Sequence, residues 1–391
     1  MFLLTTKTAL QRDLDRFYKA LSNDEFNIRE VTKGALSQSR SKLNPWAFQR
    51  LNEVTIEKFY QSTLIYTWYG FRILSVDGSR LMLPSHKSIR EEFGVHSFGP
   101  AADAERSMAM ISMLYDTLNH LTLDAQMAPY ASSERDLLMT HLDKVEEGDL
   151  LLLDRGYPCF WLLFLLKARG VEFCVRLKDD WWLQVKDFVE SGQKEMLVKF
   201  SLPKKDREKL SGYPEYQDKD ITCRLVRVEL EDGRVEVLCT SLLDDQKYVH
   251  AEFQWLYHYR WNEEEAYKLL KARAELEAFS GKTAKAVRQD FFAKIFLMTL
   301  CAAYAHPIEE KVYKEYQADQ QKKHAQKINR THALATLVDM IVPIFLKNRA
   351  RDAIEAFDKS VENTREIIRP GRSNPRPKKP RKAHYQNYKP I

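Results

Sequence analysis

The sequence has few cysteines, and their spacing does not support a cysteine-based site. The five cysteines include no C-x-x-C pair, and their odd number argues against a disulfide framework or a thiolate zinc site. The sequence also has no Gly-rich phosphate loop and no internal repeat. No apolar run approaches the roughly 18 residues of a membrane span, and no basic region precedes the MFLL start. We therefore expect a cytoplasmic protein with reduced cysteines.

The chain is long enough for two or three domains and a substantial core, with 391 residues of which 44% are hydrophobic. Its formal charge of +6 is concentrated at one end. Positions 369–391 carry eight basic residues and no acidic one, so 53 basic and 55 acidic residues remain elsewhere. This proline-rich tail cannot build a core, but it can lie along DNA by releasing counterions; a solubilising tail is the alternative. The candidate contacts are Lys378, Lys379, Arg381 and Lys382.

Two aspartates follow apolar segments that are typical of strands. FRILSVDGSRLMLP places Asp77 after an alternating apolar run, and GDLLLLDRGYP places Asp154 after four leucines, which favour a strand buried on both faces. A glycine-containing turn is expected after each aspartate. Because Asp-Gly and Asp-Arg-Gly are common turn formers, either residue alone also fits a simple turn.

A third acid lies in the helical segment YHYRWNEEEAYKLLK. There the pattern Y-x2-R-x3-E-x6-K would occupy one stripe of roughly 60° on an α-helix that turns about 100° per residue. A carboxylate between cations suits a metal ligand beside a nucleic-acid backbone. A solvated amphipathic helix explains the segment alone equally well. Two strand-end acids plus a helix acid are, however, an arrangement that holds a pair of Mg²⁺ ions through hard oxygen ligands. The four residues of the pattern are Tyr257, Arg260, Glu264 and Lys271.

The order of the three acids resembles the DDE transposases of bacterial insertion sequences, family four. The resemblance rests on DRGY, which begins at Asp154, and on the spacing around Glu264, and it covers roughly residues 70 to 305. It implies a ribonuclease H-like core in which Asp77, Asp154 and Glu264 are catalytic. By the same resemblance these acids bind two Mg²⁺ ions, for which Mn²⁺ can substitute.

The resemblance also implies the partners and the reaction. Tyr257, Arg260 and Lys271 would contact phosphates of double-stranded DNA at the inverted-repeat ends. The protein would cut these ends and join the freed 3′-OH to target DNA, as a homodimer on the nucleoid, with no membrane partner. A related metal nuclease and a catalytically inactive, transposase-derived DNA-binding protein remain alternatives. An α/β protein whose aspartates only form turns is a further one.

The pattern of elements predicts an α/β fold. Residues 69 to 180 have the order β-β-β-α-β-α-β, which allows a mixed five-strand sheet with both aspartates at adjacent strand ends. With the resemblance, this predicts a ribonuclease H-like mixed sheet core with a β-rich insertion, flanked by helical N- and C-terminal regions. Asp232-Gly233 predicts a type I′ hairpin in the insertion. The predicted divisions are a helical DNA-end-binding domain (1–68), the core (69–180 and 247–305), the insertion (181–246), a helical region (306–368) and the basic tail (369–391).

Two further groups are candidates for DNA contact. Thr32 can cap a helix over VTKGALSQSRSKL, and that helix would present Lys33 and Arg40 to the major groove or to phosphates. A plain packing helix fits the same residues. Trp261 is one of several tryptophans that could stack on an extruded base, although scaffold tryptophans are commoner.

Overall fold

The computed structural model describes residues 9–23, 25–97, 105–230, 233–318 and 324–368. The chain divides into a strand-rich unit of residues 64–79 and 110–267 and a helix-rich unit of residues 1–63, 80–109 and 268–391. The predicted tail contacts and one residue of the expected hairpin turn lie outside the described residues. These are Lys378, Lys379, Arg381, Lys382 and Asp232.

The described ranges contain eleven strands and twelve α-helices. The strands are β1 (Ile73–Met82), β2 (Val95–Ser97), β3 (Glu105–Asp116), β4 (Leu121–Pro129), β5 (Leu150–Leu153), β6 (Glu172–Leu177), β7 (Glu195–Phe200), β8 (Ile221–Glu229), β9 (Val235–Thr240), β10 (Gln326–Ile328) and β11 (Arg365–Ile367). The helices are α1 (Leu10–Ser22), α2 (Lys33–Lys42), α3 (Trp46–Ser62), α4 (Lys87–Phe93), α5 (Glu134–His141), α6 (Phe160–Ala168), α7 (Leu183–Ser191), α8 (Glu252–His258), α9 (Trp261–Lys268), α10 (Ala284–Ala318), α11 (Arg330–Leu346) and α12 (Ala350–Glu362).

One large sheet forms the core of the fold. Its order is β2-β3-β1-β5-β6-β9-β8-β7, and β4 also pairs with β3. The central strands β1, β5 and β6 are parallel neighbours, and α5 and α6 lie between β4, β5 and β6 along the chain. All four leucines of β5 are fully buried, as their continuous apolar run predicts. The run β4-β3-β1-β5-β6 is a ribonuclease H-like mixed sheet, which confirms the predicted fold class.

The β-rich insertion extends this sheet. Strand β9 pairs antiparallel with β6, from Cys174 opposite Thr240 to Leu177 opposite Val237. Strands β8 and β7 then add to β9 in turn. Buried residues of β1, β5, β8 and β9 share one hydrophobic cluster with Phe253 of α8. The insertion and the core therefore have a common hydrophobic interior.

The helix-rich unit is built around the long helix α10. Its residues form a cluster with apolar residues of α11 and α12, and α10 also packs against α3. Contrary to expectation, this segment is long and apolar enough to cross a membrane. However, 83% of its most apolar stretch is buried inside the protein, as in the core helix of a globular domain. A small sheet of β10 and β11 completes the described part of this unit.

Two local predictions were wrong. Strand β1 continues to Met82, so Asp77 lies within a strand and not at a turn. The helix of the four-residue pattern is also not continuous. Between α8 and α9 the amides of Arg260 and Glu263 donate to carbonyls three residues earlier, and residues 269–273 form a π-helix. Because such segments turn by more or less than 100° per residue, the four residues do not form one regular stripe.

Candidate active site

Strand register places the first two predicted acids side by side. In the parallel pair β1–β5, the last matched residues are Val76 and Leu153. Asp77 is the next residue of β1 and Asp154 directly follows β5, so the structure places the two residues side by side where β5 ends. Asp154 lies close enough for its charge to contribute to the raised pKa of Asp77. The sequence pattern predicted this proximity, since the ends of adjacent parallel strands meet.

The backbone of Asp77 is held from both sides by residues of the helix that follows the insertion. Its N–H donates to Oε1 of Glu263 at 2.8 Å, and its carbonyl accepts the Tyr267 hydroxyl at 2.8 Å. Glu263 is fully buried, and burial, followed by the charge of Asp77, raises its pKa well above the ordinary value. The sequence did not indicate this role, because Glu263 belongs to an EEE run that resembles a solvated helix face.

Asp154 is held by a cation from the neighbouring strand β6. Arg176 donates to Oδ1 of Asp154 from two nitrogens, at 2.6 and 3.0 Å, and also contacts Glu236 of β9. Burial alone would raise the pKa of Asp154. The Arg155 backbone N–H and the Arg176 and Arg260 guanidiniums outweigh burial and lower that pKa below its usual value. Asp154 is therefore poised as a charged carboxylate.

The third predicted acid, Glu264, is half-buried on α9. Arg260 donates to its Oε1 at 2.8 Å. Arg260 and Tyr257 are themselves buried, and the Tyr257 hydroxyl lies 3.3 Å from the Leu153 carbonyl and 3.5 Å from Oδ1 of Asp154. Both residues contact the acids in this structure. Their contact with DNA phosphates stays a prediction.

A fourth carboxylate, Glu134 at the start of α5, was missed by the sequence analysis. A Cβ on Gly78 would lie 2.8 Å from Oε1 of Glu134, and one on Gly156 would lie 3.7 Å from Oε2. Only glycine at position 78 leaves room for this approach. The two glycines closely follow Asp77 and Asp154, and that conjunction was the only signal in the sequence. Glu134 therefore belongs to the acidic set.

The set offers carboxylate oxygens, the hard ligands that Mg²⁺ takes in proteins. Burial raises the pKa of Asp77 to about 6, with smaller contributions from the charges of Glu134 and Asp154. The Tyr157 hydroxyl is buried beside these acids and has no hydrogen-bond partner in the described part of the chain. Within the described ranges, no three His, Cys, Asp or Glu side chains are arranged to hold a metal ion. Glu264 is paired with Arg260 in this structure.

The raised pKa of Asp77 predicts a pH-dependent stability. Between the unfolded value of 3.8 and about 6, the folded protein binds more protons than the unfolded chain, so stability falls as pH rises through this window. Without metal at pH 7, Asp77→Asn should therefore stabilise the protein by about 1–3 kcal/mol, and the gain should vanish below about pH 4. Urea unfolding at both pH values measures this. The matched control is Asp154→Asn, whose partner Arg176 predicts the opposite sign; equal stabilities of Asp77→Asn and wild type at pH 7 would contradict the prediction.

The other residues predicted to contact DNA differ in their exposure to solvent. Trp261 is 46% exposed at the start of α9, and Lys33 is exposed on α2. Lys271 belongs to the helix-rich unit, where its Nζ donates to the Arg80 carbonyl at 2.5 Å. Arg40 is buried and donates to Asp290 and three other groups of the same unit. The prediction that Arg40 contacts DNA is wrong, because its guanidinium is committed to internal partners.

Residues 68–300 match the protein family described as "Transposase DDE domain". The transposase InsG for insertion sequence element IS4, from Escherichia coli (strain K12), is 25% identical over 245 residues, which are 62% of this chain and 53% of that protein. The putative transposase InsZ of the same organism is 22% identical over 163 residues, 40% of this chain and 53% of that protein. The chain thus spans about half the length of these curated relatives.

A solved structure also resembles the chain. It is described as a cryo-EM structure of the piggyBac transposase synaptic complex with hairpin DNA. The match covers 78% of this chain and 59% of that chain, with a TM-score of 0.41 and 8% sequence identity.

Proposed function

The chain belongs to the transposase DDE family, as represented by the transposases of insertion-sequence family four, and from this we propose that it is a DNA transposase of an insertion sequence. Its substrates would be the inverted-repeat ends of the element and a target duplex. The observation that carries the proposal is the register of β1 and β5, which sets Asp77 beside Asp154. A turn-forming role does not explain why Asp77 lies close to Glu134 and donates its N–H to Glu263.

DDE transposases use divalent metals, and we assign Asp77, Asp154 and Glu264 as the residues that would hold two Mg²⁺ ions. When bound, these ions would lower the pKa of an attacking water and stabilise the leaving 3′ oxygen. The protein contributes the rigid position of the acids. Glu263 and Tyr267 fix the Asp77 backbone, and Arg176 fixes the Asp154 carboxylate.

The reaction that we propose consists of two phosphoryl transfers. In the first, a water oxygen bonds to phosphorus at the transposon end, the bond from phosphorus to the 3′ oxygen breaks, and a 3′-OH is released. In the second, that hydroxyl attacks a phosphorus of the target DNA and displaces its 3′ oxygen. Both displacements are direct, so no residue needs to form a covalent intermediate with DNA.

A cleavage assay tests the proposal. The full chain would be incubated with Mg²⁺ and DNA carrying the inverted repeats that flank its gene. We expect nicks at the repeat ends and joined products with a target plasmid. Cleavage without joining, when two repeat ends are present, would favour a metal nuclease. Repeat binding without cleavage in either Mg²⁺ or Mn²⁺ would favour a transposase-derived DNA-binding protein.

Lys271 remains a proposed phosphate contact, because its ammonium lies in a partly exposed position on the π-helical segment. Lys271→Ala should weaken repeat binding and reduce the slope of log K against log salt by about one, as expected for one lost phosphate contact. Fluorescence anisotropy between about 50 and 200 mM salt measures this slope. The control is Lys359→Ala, at an exposed position on α12; identical slopes for both variants would count against the assignment.

A further inference from the structure

A chain of three polar residues, of which Ser112 and His141 are fully buried, ends on the backbone of Asp77. Nδ1 of His141 lies 2.7 Å from Oδ2 of Asp124, and Nε2 of the same ring lies 3.0 Å from the Ser112 hydroxyl. The hydroxyl in turn donates to the Asp77 carbonyl at 3.2 Å. Asp124 comes from β4, His141 from the end of α5 and Ser112 from the middle of β3. Three separate elements are thus linked to one peptide group.

The order Asp–His–Ser is that of a hydrolase triad, but this position excludes nucleophilic catalysis. Ser112 and His141 are both 0% exposed, so no substrate carbonyl or phosphate can approach the serine oxygen. A triad serine must also give its proton to the histidine as it attacks. The Ser112 proton is instead directed to the Asp77 carbonyl. The chain therefore has a positioning role.

The direction of one hydrogen bond in this chain is fixed by chemistry. The Asp124 carboxylate can only accept, so Nδ1 of His141 donates to it. Although burial would raise the pKa of Asp124, the hydrogen bond from His141 and the electrostatic interaction with it lower that pKa below its usual value. Separating the pair would leave the buried imidazole N–H without its acceptor, so the pair resists displacement.

Ser112 completes the set of groups that hold the Asp77 peptide. Glu263 accepts its N–H, while Tyr267 and Ser112 both donate to its carbonyl. The first two belong to α9 and the third to β3. We propose that the Asp124–His141–Ser112 chain is a positioning device that fixes the Asp77 peptide, and thereby its carboxylate, for the transposition chemistry. This inference rests on the proposed function of Asp77.

The test compares two buried hydroxyls that bond to carbonyls of the same strand. Ser112→Ala removes the bond to Asp77, and Thr117→Val removes the Thr117 hydroxyl bond to the Ile73 carbonyl at 3.3 Å, four residues away on β1. We expect Ser112→Ala to slow single-turnover cleavage of repeat-end DNA by about 10–100-fold, the loss typical of a small misplacement. The dissociation constant for the DNA should stay within about twofold. Thr117→Val should lose about as much thermal stability as Ser112→Ala, but its cleavage rate should change less than about twofold.

Coupling within the chain gives a second readout. His141→Gln should also slow cleavage, and the double variant with Ser112→Ala should be no slower than the slower single variant, because the two residues act through one bond. Equal cleavage rates for Ser112→Ala and Thr117→Val, or independent and additive losses in the double variant, would overturn the positioning role.

Hydrogen exchange separates this inference from the proposed function. Measured by mass spectrometry on the full chain without DNA, exchange at the Asp77 amide should be at least about tenfold faster in Ser112→Ala than in Thr117→Val. We expect this difference in exchange even if the wild-type protein cleaves no repeat-end DNA. That result would contradict the proposed function but support the positioning role. If wild type cleaves DNA but the Asp77 amide exchanges at the same rate in Ser112→Ala and Thr117→Val, only the positioning role would be contradicted.

Discussion

Asp154→Asn should reduce strand cleavage at repeat ends by roughly 10³-fold or more, since a carboxylate that holds a catalytic metal contributes several kcal/mol to the transition state. Asn keeps the size of the side chain but loses the charge that Arg176 and the metal ions would share. The variant should still bind repeat-end DNA within about threefold of wild type, because phosphate contacts made elsewhere supply most of the affinity. Single-turnover cleavage and anisotropy binding on the same DNA measure the two effects.

Two adjacent glutamates on α9 provide the matched control for this prediction. Glu264→Gln should show the same loss of cleavage as Asp154→Asn, whereas Glu265→Gln, at an exposed position, should stay within about twofold of wild type. Mg²⁺-dependent cleavage by Asp154→Asn or Glu264→Gln at the wild-type rate would refute the assignment of the acids. A loss of repeat binding together with cleavage would instead show that the acid contributes to folding.

Arg40→Ala should destabilise the protein by about 3–5 kcal/mol, since removing one member of a buried ion pair leaves the other uncompensated. Arg40 donates to Asp290 at 3.1 Å, to Gln289 at 2.9 Å and to Ser280 at 2.7 Å. These bonds attach α2 to the start of α10 and to Ser280, which precedes that helix. Arg40→Lys should recover only part of the stability, because an ammonium cannot reproduce the planar fork of the guanidinium. Urea unfolding monitored by circular dichroism measures the difference.

Lys33→Ala is the control for the Arg40 prediction, because Lys33 lies on the same helix but is exposed. Its effect on stability should be within about 0.5 kcal/mol. If Arg40 bound DNA, as its sequence context suggested, Arg40→Ala would lower repeat affinity without affecting unfolding. That outcome would contradict the buried position of the side chain.

The sequence was informative where local pattern and tertiary structure agree. The LLLL run of β5 and the apolar helix α6 are buried because their composition leaves them no alternative. Parallel pairing of β1 and β5 then follows from the α/β order, and with it the adjacency of Asp77 and Asp154. The burial of these elements and the pairing of these strands depend on periodicity and topology, which a single sequence is enough to predict.

The residues that sequence analysis missed or misassigned are polar groups whose environment comes from distant segments. The buried Glu263 carboxylate accepts a hydrogen bond from the N–H of Asp77, 186 residues earlier in the chain. No pattern within EEE distinguishes Glu263 from its neighbours. Arg40 has partners about 250 residues away on α10. From the sequence alone, a polar side chain is expected to be solvated unless the partner that compensates for its burial is known. Such partners are defined only by the folded chain.

The pairing of β6 with β9 limits how this protein can be re-engineered. Arg176 of β6 donates hydrogen bonds both to Asp154 and to Glu236 of the neighbouring strand β9. Removing residues 181–246, or replacing them with the equivalent stretch of another protein, would expose the edge of β6 and remove the Glu236 partner of Arg176. The Asp154 carboxylate would then be held less firmly. Changes of length are better placed at the outer hairpin of β7 and β8, whose pairing lies two strands away from β6.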